Sequence, residues 1–106
     1  TTGQVNPKIK NLDHNNLVLF PAHPNPFNPK TTIKYNTNRR SNVNIKIYNS
    51  NGVLIDSFTI NNQQKGSHTF SWGAIDTKGK QLPSGIYFII FNIENNTSIS
   101  KIVLIK

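Results

Sequence analysis

Acid–base or metal chemistry in this chain would have to draw on three histidines and four carboxylates, and these are widely spread. Asp13, Asp56, Asp76 and Glu94 fall in four different segments, so no local element sets two of them up as general acid and base. His14 sits in the opening stretch, His23 among prolines and His68 in an alternating segment. No Ser-His-Asp order, paired acids or metal-ligand spacing emerges. Cysteine is absent, which removes thiol nucleophiles, disulfides and cysteine-based zinc sites. Asp76-Thr77-Lys78-Gly79 has the outline of a cation loop. One carboxylate beside a lysine is, however, a poor ligand set for an ion that wants about six or more oxygens, so an Asx-type turn is expected. Gly52, Gly66, Gly79 and Gly85 read as turn glycines, and no glycine-rich phosphate loop is present. The residues therefore point to no enzyme, no cofactor and no metal.

The elements that hold these residues must come from a small core. At 106 residues and 11.9 kDa the chain has room for one domain, which at this size buries roughly 60–70% of its unfolded surface. Hydrophobic residues make up 35%, with asparagine, serine and threonine filling the deficit. No stretch approaches the ~20 apolar residues of a membrane span, so stable membrane insertion is not expected. The opening Thr1-Thr2-Gly3-Gln4 lacks the basic and apolar regions of a signal peptide, as expected of a piece of a longer protein. The formal charge of +8 raises nucleic acid as a partner. The lysines are scattered, however, only Arg39-Arg40 are adjacent, and no nucleic-acid-binding motif is present. A solvated surface, or long-range attraction to an acidic partner, accounts for the charge instead.

Residues 1–16 carry no periodic apolar pattern and read as a linker or flexible arm. The ordered unit is expected over 17–106, opening with Leu17-Val18-Leu19-Phe20. Pro24, Pro26 and Pro29 then fix φ and remove backbone donors, so neither a helix nor a central strand can pass through them. Beyond Thr31 the apolar residues alternate: Ile33 and Tyr35, then Val43, Ile45 and Ile47. Asn51-Gly52, two residues that tolerate positive φ, predicts a hairpin turn, returning through Val53–Ile60. Asn61–Gly66 reads as a polar loop. His68, Phe70 and Trp72 share one strand face, Ile86–Ile93 and Ser98–Ile105 are further strands, and turn signals separate them. Seven short strands without a helix predict an all-β, antiparallel immunoglobulin or fibronectin III-like sandwich.

Read in order, the motifs are Asn25-Pro26-Phe27-Asn28-Pro29, Tyr48 with Asn51-Gly52, Trp72 followed by Asp76 and Gly79, Pro83-Ser84-Gly85-Ile86-Tyr87, and the closing Lys101–Lys106. Over about residues 17–106 this pattern resembles the type A C-terminal sorting domain of the type IX secretion system. It is also closely similar to the immunoglobulin-like domain of the flagellar hook-capping protein. Family members often place aspartate or asparagine directly after the tryptophan, where this chain has Gly73. The first resemblance implies a folded, non-catalytic address on a larger cargo exported by Bacteroidetes and related bacteria. Its partners would be an outer-membrane translocon, a shuttle protein and a sortase-like peptidase. The cargo would pass through the periplasm to the cell surface or the exterior. The second resemblance implies a structural module, either of the hook-capping type or as a surface-protein spacer.

Two strands depart from the half-buried pattern. Tyr87-Phe88-Ile89-Ile90-Phe91 and Ile102-Val103-Leu104-Ile105 direct apolar groups to both faces, so one face lines the core and the other needs a cover. The Leu17–Phe20 strand, Phe27 or a neighbouring loop could supply that cover. Alternatively the strip stays open for a receptor. About three exposed aliphatic side chains at ~1.5–3 kcal/mol each give roughly 5–9 kcal/mol gross, and association costs of ~4–15 kcal/mol consume most of it. The strip would then need backbone pairing at a sheet edge or charged contacts from Lys101 and Lys106. Ser100, Lys101, Ile102, Val103, Leu104, Ile105 and Lys106 are the expected recognition strand of a domain that is monomeric in isolation. Trp72 is expected in the core rather than as a ligand platform. Tyr35, Tyr48 and Tyr87 would have to converge to make a sugar-binding surface, and packing with a hydroxyl at the rim is the preferred reading. A carbohydrate-binding module is thus a third functional class.

Overall fold

Alternation of apolar and polar residues builds several of the long strands, and the computed structural model describes the strands over residues 17–106. The expected arm, with Asp13 and His14, lies outside the described residues. The strands are β1 (Leu17–Leu19), β2 (Thr31–Thr37), β3 (Ser41–Asn49), β4 (Leu54–Gln63), β5 (Gly66–Trp72), β6 (Gly85–Ile93) and β7 (Asn96–Leu104). They form two antiparallel sheets, ordered β1-β2-β5 and β4-β3-β6-β7. Among the described residues, these seven strands form the all-β sandwich that the spacing of strands and turns predicts.

The core lies where the inward positions meet. Ile33 and Tyr35 of β2 face Val43, Ile45 and Ile47 of β3, together with Ile89, Phe91 and Ile93 of β6 and Ile102 and Leu104 of β7. Aromatic rings knit the sheets together: Tyr35 and Phe70 each pack on Phe91, at 5.1 and 6.0 Å between ring centroids. Burial pushes the Tyr35 hydroxyl above its ordinary pKa, and that hydroxyl donates to the Gln63 side chain.

The hairpin turn forms at Asn51-Gly52 as expected, with Gly52 alone of the pair at positive φ, 80°. Asn49 makes the difference, because its Oδ1 accepts the N–H groups of both Asn51 and Val53 at 2.9 and 3.0 Å. Gly52 N–H donates to Asn49 O, which closes a turn completed by a glycine bulge. The structure differs from the pattern reading at the next turn, where the polar run Asn61–Gln63 continues β4 rather than forming a loop. Asn62 takes φ of 56° at a register shift. Its N–H donates to Asn42 Oδ1 at 2.9 Å, so a side chain replaces the missing ladder partner.

The proline segment links the two sheets. His23 exchanges both backbone hydrogen bonds with Thr32 of β2, and Thr31 Oγ1 donates to Pro24 O at 2.8 Å. Three residues after Pro24 the chain has crossed to the other sheet, where Phe27 forms a parallel bridge with Leu104. Bends of this kind are how strands pass between sheets at the corner of a sandwich.

Candidate functional site

Motif residues scattered over 80 positions of sequence converge at one end of the sandwich. Phe27 is buried against Trp72, 6.1 Å between ring centroids, and Trp72 packs edge-on to Tyr87 at 5.5 Å. Tyr87 donates its hydroxyl to Pro83 O at 2.7 Å, a tyrosine reaching back along its own chain at the start of a strand. Burial raises its pKa. Ser84 Oγ accepts the Lys106 N–H at 3.0 Å, tying the closing residues to the Pro83–Gly85 turn. Asn28 and Pro29 line a cleft of about 220 Å³ with Leu82, Leu104 and Lys106. Gly79 takes φ of 79° in the turn that Asp76 organises. Asp76 Oδ1 accepts the N–H groups of Lys78 and Lys80, both at 2.9 Å. The Lys80 bond, chiefly, holds its carboxyl below the usual aspartate range. This carboxylate serves the backbone, and among the described residues no group of three or more histidines or acids could hold a metal.

The expected recognition strand divides by alternation. Ile102 and Leu104 belong to the core, with no side chain to offer a partner. Lys101 and Val103 point the other way, opposite Phe88 and Ile86 of β6. Ile105 and Lys106 are exposed beyond the end of β7, and Ser100 is half-buried. Sequence reasoning did not single out Ile86 and Ile99, which are 40% and 62% exposed. The alternation of Ile86, Phe88 and Ile90 with the buried Tyr87, Ile89 and Phe91 signals Ile86; Ile99 is marked only by its place between two serines. Together Ile86, Phe88, Ile90, Ile99 and Val103 make an apolar strip on the outer face of the four-stranded sheet. Among the described residues, neither β1, which belongs to the other sheet, nor Phe27, which is in the core, lies over it.

The edge of the same strand is partly occupied. Phe27 N–H donates to Val103 O at 2.9 Å, and Ile105 N–H donates to Phe27 O at 3.0 Å. Asn25 brackets the next backbone groups, accepting from Val103 N–H and donating to Lys101 O. Prolines at 24 and 26 leave only the alternate residues Asn25 and Phe27 with donors, and these two address the edge. A partner strand therefore cannot add along Lys101–Ile105 while this segment is seated. The three tyrosines do not converge: Tyr35 and Tyr87 are buried, and Tyr48 stands on the outer face of the four-stranded sheet.

Comparison with known proteins adds a family and a set of folds. The profile of the FlgD Ig-like domain matches residues 28–96. No curated protein sequence matches the chain. Crystallised dimeric latent PorU from Porphyromonas gingivalis is similar over 84% of this chain and 9% of its own, with a TM-score of 0.63 and 20% identity. PorZ of the same organism, an essential surface component of the type-IX secretion system, is similar over 90% of this chain and 12% of its own (TM-score 0.57, 18% identity). FlgD from Xanthomonas campestris, described in terms of hook capping in flagellar assembly, is similar over 83% of this chain and 66% of its own (TM-score 0.57, 20% identity). The chain thus spans a small fraction of the first two and about two thirds of the third. At these identities the likeness establishes the fold.

Proposed function

The chain belongs to the FlgD Ig-like domain family, and on that footing we propose that it is a non-catalytic C-terminal sorting signal. It would direct a larger cargo through the outer membrane by the type IX secretion system and on to the cell surface or the exterior. The observation that carries this reading is the apolar strip in which Ile86 and Ile99 are exposed and Val103 is half-buried, with Lys101 beside it. Exposed apolar groups clustered on one sheet face fit a docking surface better than a solvated one. The fold shared with PorZ, a component of that secretion system, supports the same reading. Because Asn25 and Phe27 hold the edge at Lys101–Ile105, recognition would be face-on, with Lys101 and Lys106 adding charged contacts. The partners in this reading are the translocon, its shuttle protein and the sortase-like peptidase, met in the periplasm and at the surface.

A structural module of the hook-capping type, or a spacer in a surface protein, is the second reading. The family match and the likeness to FlgD favour it. Fusing the chain behind a periplasmic reporter in a host that runs type IX secretion separates the two. The sorting reading expects reporter at the cell surface, and loss of that delivery with Ile99→Lys and Val103→Lys together. A folded fusion that stays in the periplasm turns the assignment to the structural module.

A further inference from the structure

The outer face of the four-stranded sheet changes character along β3, away from the apolar strip. Asn42, Asn44, Lys46 and Tyr48 alternate outward in single file. The register sets Asn44 between Thr59 and Asn92, and Lys46 between Ser57 and Ile90. All of these side chains except Asn42 line a groove of about 390 Å³. Through Asn44 and Asn92 it continues into a second depression of about 410 Å³ that reaches Arg40. Six residue steps from Asn42 to Tyr48 span about 20 Å, the proportions of a track for a chain rather than a pocket for one small molecule.

The lining is already oriented. Thr59 Oγ1 donates to Asn44 Oδ1 at 3.0 Å, which leaves the Asn44 amide hydrogens for a ligand. Asn92 Nδ2 donates to Thr97 Oγ1 at 2.9 Å, which leaves the Asn92 oxygen as an acceptor. A fixed donor and a fixed acceptor on facing strands suit adjacent hydroxyls, which give and accept at once. Tyr48 is half-buried, with a ring able to lie under the C–H face of a sugar and a hydroxyl at the rim. Lys46 stands at the centre with no carboxylate partner among the described residues, and Glu94 at the far end is held by Arg39 at 3.3 Å.

We propose that this groove binds an acidic polysaccharide, a run of sugar rings bearing carboxylates. Lys46 meets a carboxylate, Tyr48 lies under a ring, and Asn44 and Asn92 hold ring hydroxyls. Single-stranded nucleic acid fits less well, because it calls for successive aromatic platforms and a continuous line of cations. Here there is one ring, and two asparagines separate Arg40 from Lys46. The site does not rest on the sorting reading, and it shares only Ile90 with the apolar strip.

The test is titration of the isotopically labelled full chain with hexagalacturonate, followed by amide NMR. Saturable shifts are expected at Asn44, Lys46, Tyr48 and Asn92, with neutral xylohexaose binding more weakly. Lys46→Ala and Tyr48→Ala should each weaken binding about tenfold, the size of one charge-assisted contact. Lys34→Ala, on the outer face of the other sheet, should leave affinity unchanged, and dispersed spectra check that each variant is folded. The proposal falls if folded protein shows no saturable shifts, if the shifts lie elsewhere, if Lys46→Ala binds as well as the parent, or if oligo-dT binds the groove more tightly than the uronate.

Discussion

The Asn25 side-chain oxygen accepts the Val103 backbone N–H at 2.9 Å, across 78 positions of sequence. Its amide nitrogen donates to Lys101 O at 3.0 Å, so one side chain stands in for a peptide group on the edge of β7. Phe27 continues the line with its own N–H and carbonyl. An open strand edge is a template for unwanted pairing. Here the edge is closed by a segment whose prolines cannot offer donors to a further strand. The motif that opens the domain thus has a physical task at its close.

Removing that amide should loosen the terminal strand without disturbing the core. Asn25→Ala forfeits two exposed hydrogen bonds and should cost about 1–2 kcal/mol, read by urea unfolding. Hydrogen exchange at the Val103 amide should accelerate, while that of Ile45 and Ile89 follows only the global change. Unaltered protection at Val103 would show that the edge is held by other means.

How legible this was in the sequence depends on the range of the interaction. Val43, Ile45 and Ile47 alternate with polar neighbours, so their strand and its buried face follow from local pattern. The two-faced character of Tyr87–Phe91 was equally plain. The partner of Asn25 was not, because pairing across 78 residues is settled by how the sheets stack. Asn61–Gln63 was hidden for another reason: its polar side chains carry no apolar alternation, and its pairing depends on Asn42 Oδ1 substituting for a backbone acceptor. The outward groove residues of β3 look like any solvated face until the register places Thr59 and Asn92 on either side of Asn44.

Trp72 offers a test of core packing. Its Nε1 is buried without a hydrogen-bond partner among the described residues, so trading indole for phenyl loses volume but no bond. Trp72→Phe should cost less than about 1.5 kcal/mol as a hydrophobic swap, against ~3–5 kcal/mol for Trp72→Ala. Denaturant midpoints would decide it, and equal losses for the two variants would mean that a phenyl ring recovers none of the indole's packing.

Alkali should weaken the fold through two tyrosines. Burial raises the pKa of Tyr35 and of Tyr87 in the folded state. The unfolded chain therefore releases these protons first, from about pH 10 upward. Above that pH the folded state holds more protons than the unfolded, so stability falls as pH rises and is intact below it. Thermal unfolding between pH 8 and 11 should show the decline. Tyr87→Phe should flatten it, while losing about 1 kcal/mol at neutral pH with the bond to Pro83.

Ile99 and Ile102, three residues apart on β7, separate recognition from folding. Ile99 is 62% exposed on the outer face, whereas Ile102 is fully buried. Ile99→Lys places its charge in water and should shift stability by no more than about 0.5 kcal/mol. Ile102→Lys puts a charge into the core and should unfold the domain. If the strip is the docking surface, Ile99→Lys lowers delivery of a fused reporter while circular dichroism and melting temperature stay as in the parent. Docking through the edge instead would leave Ile99→Lys fully competent and make Asn25→Ala, which uncovers the Lys101 carbonyl and the Val103 N–H, the variant that alters delivery. The two substitutions thus read the face and the edge of one strand separately.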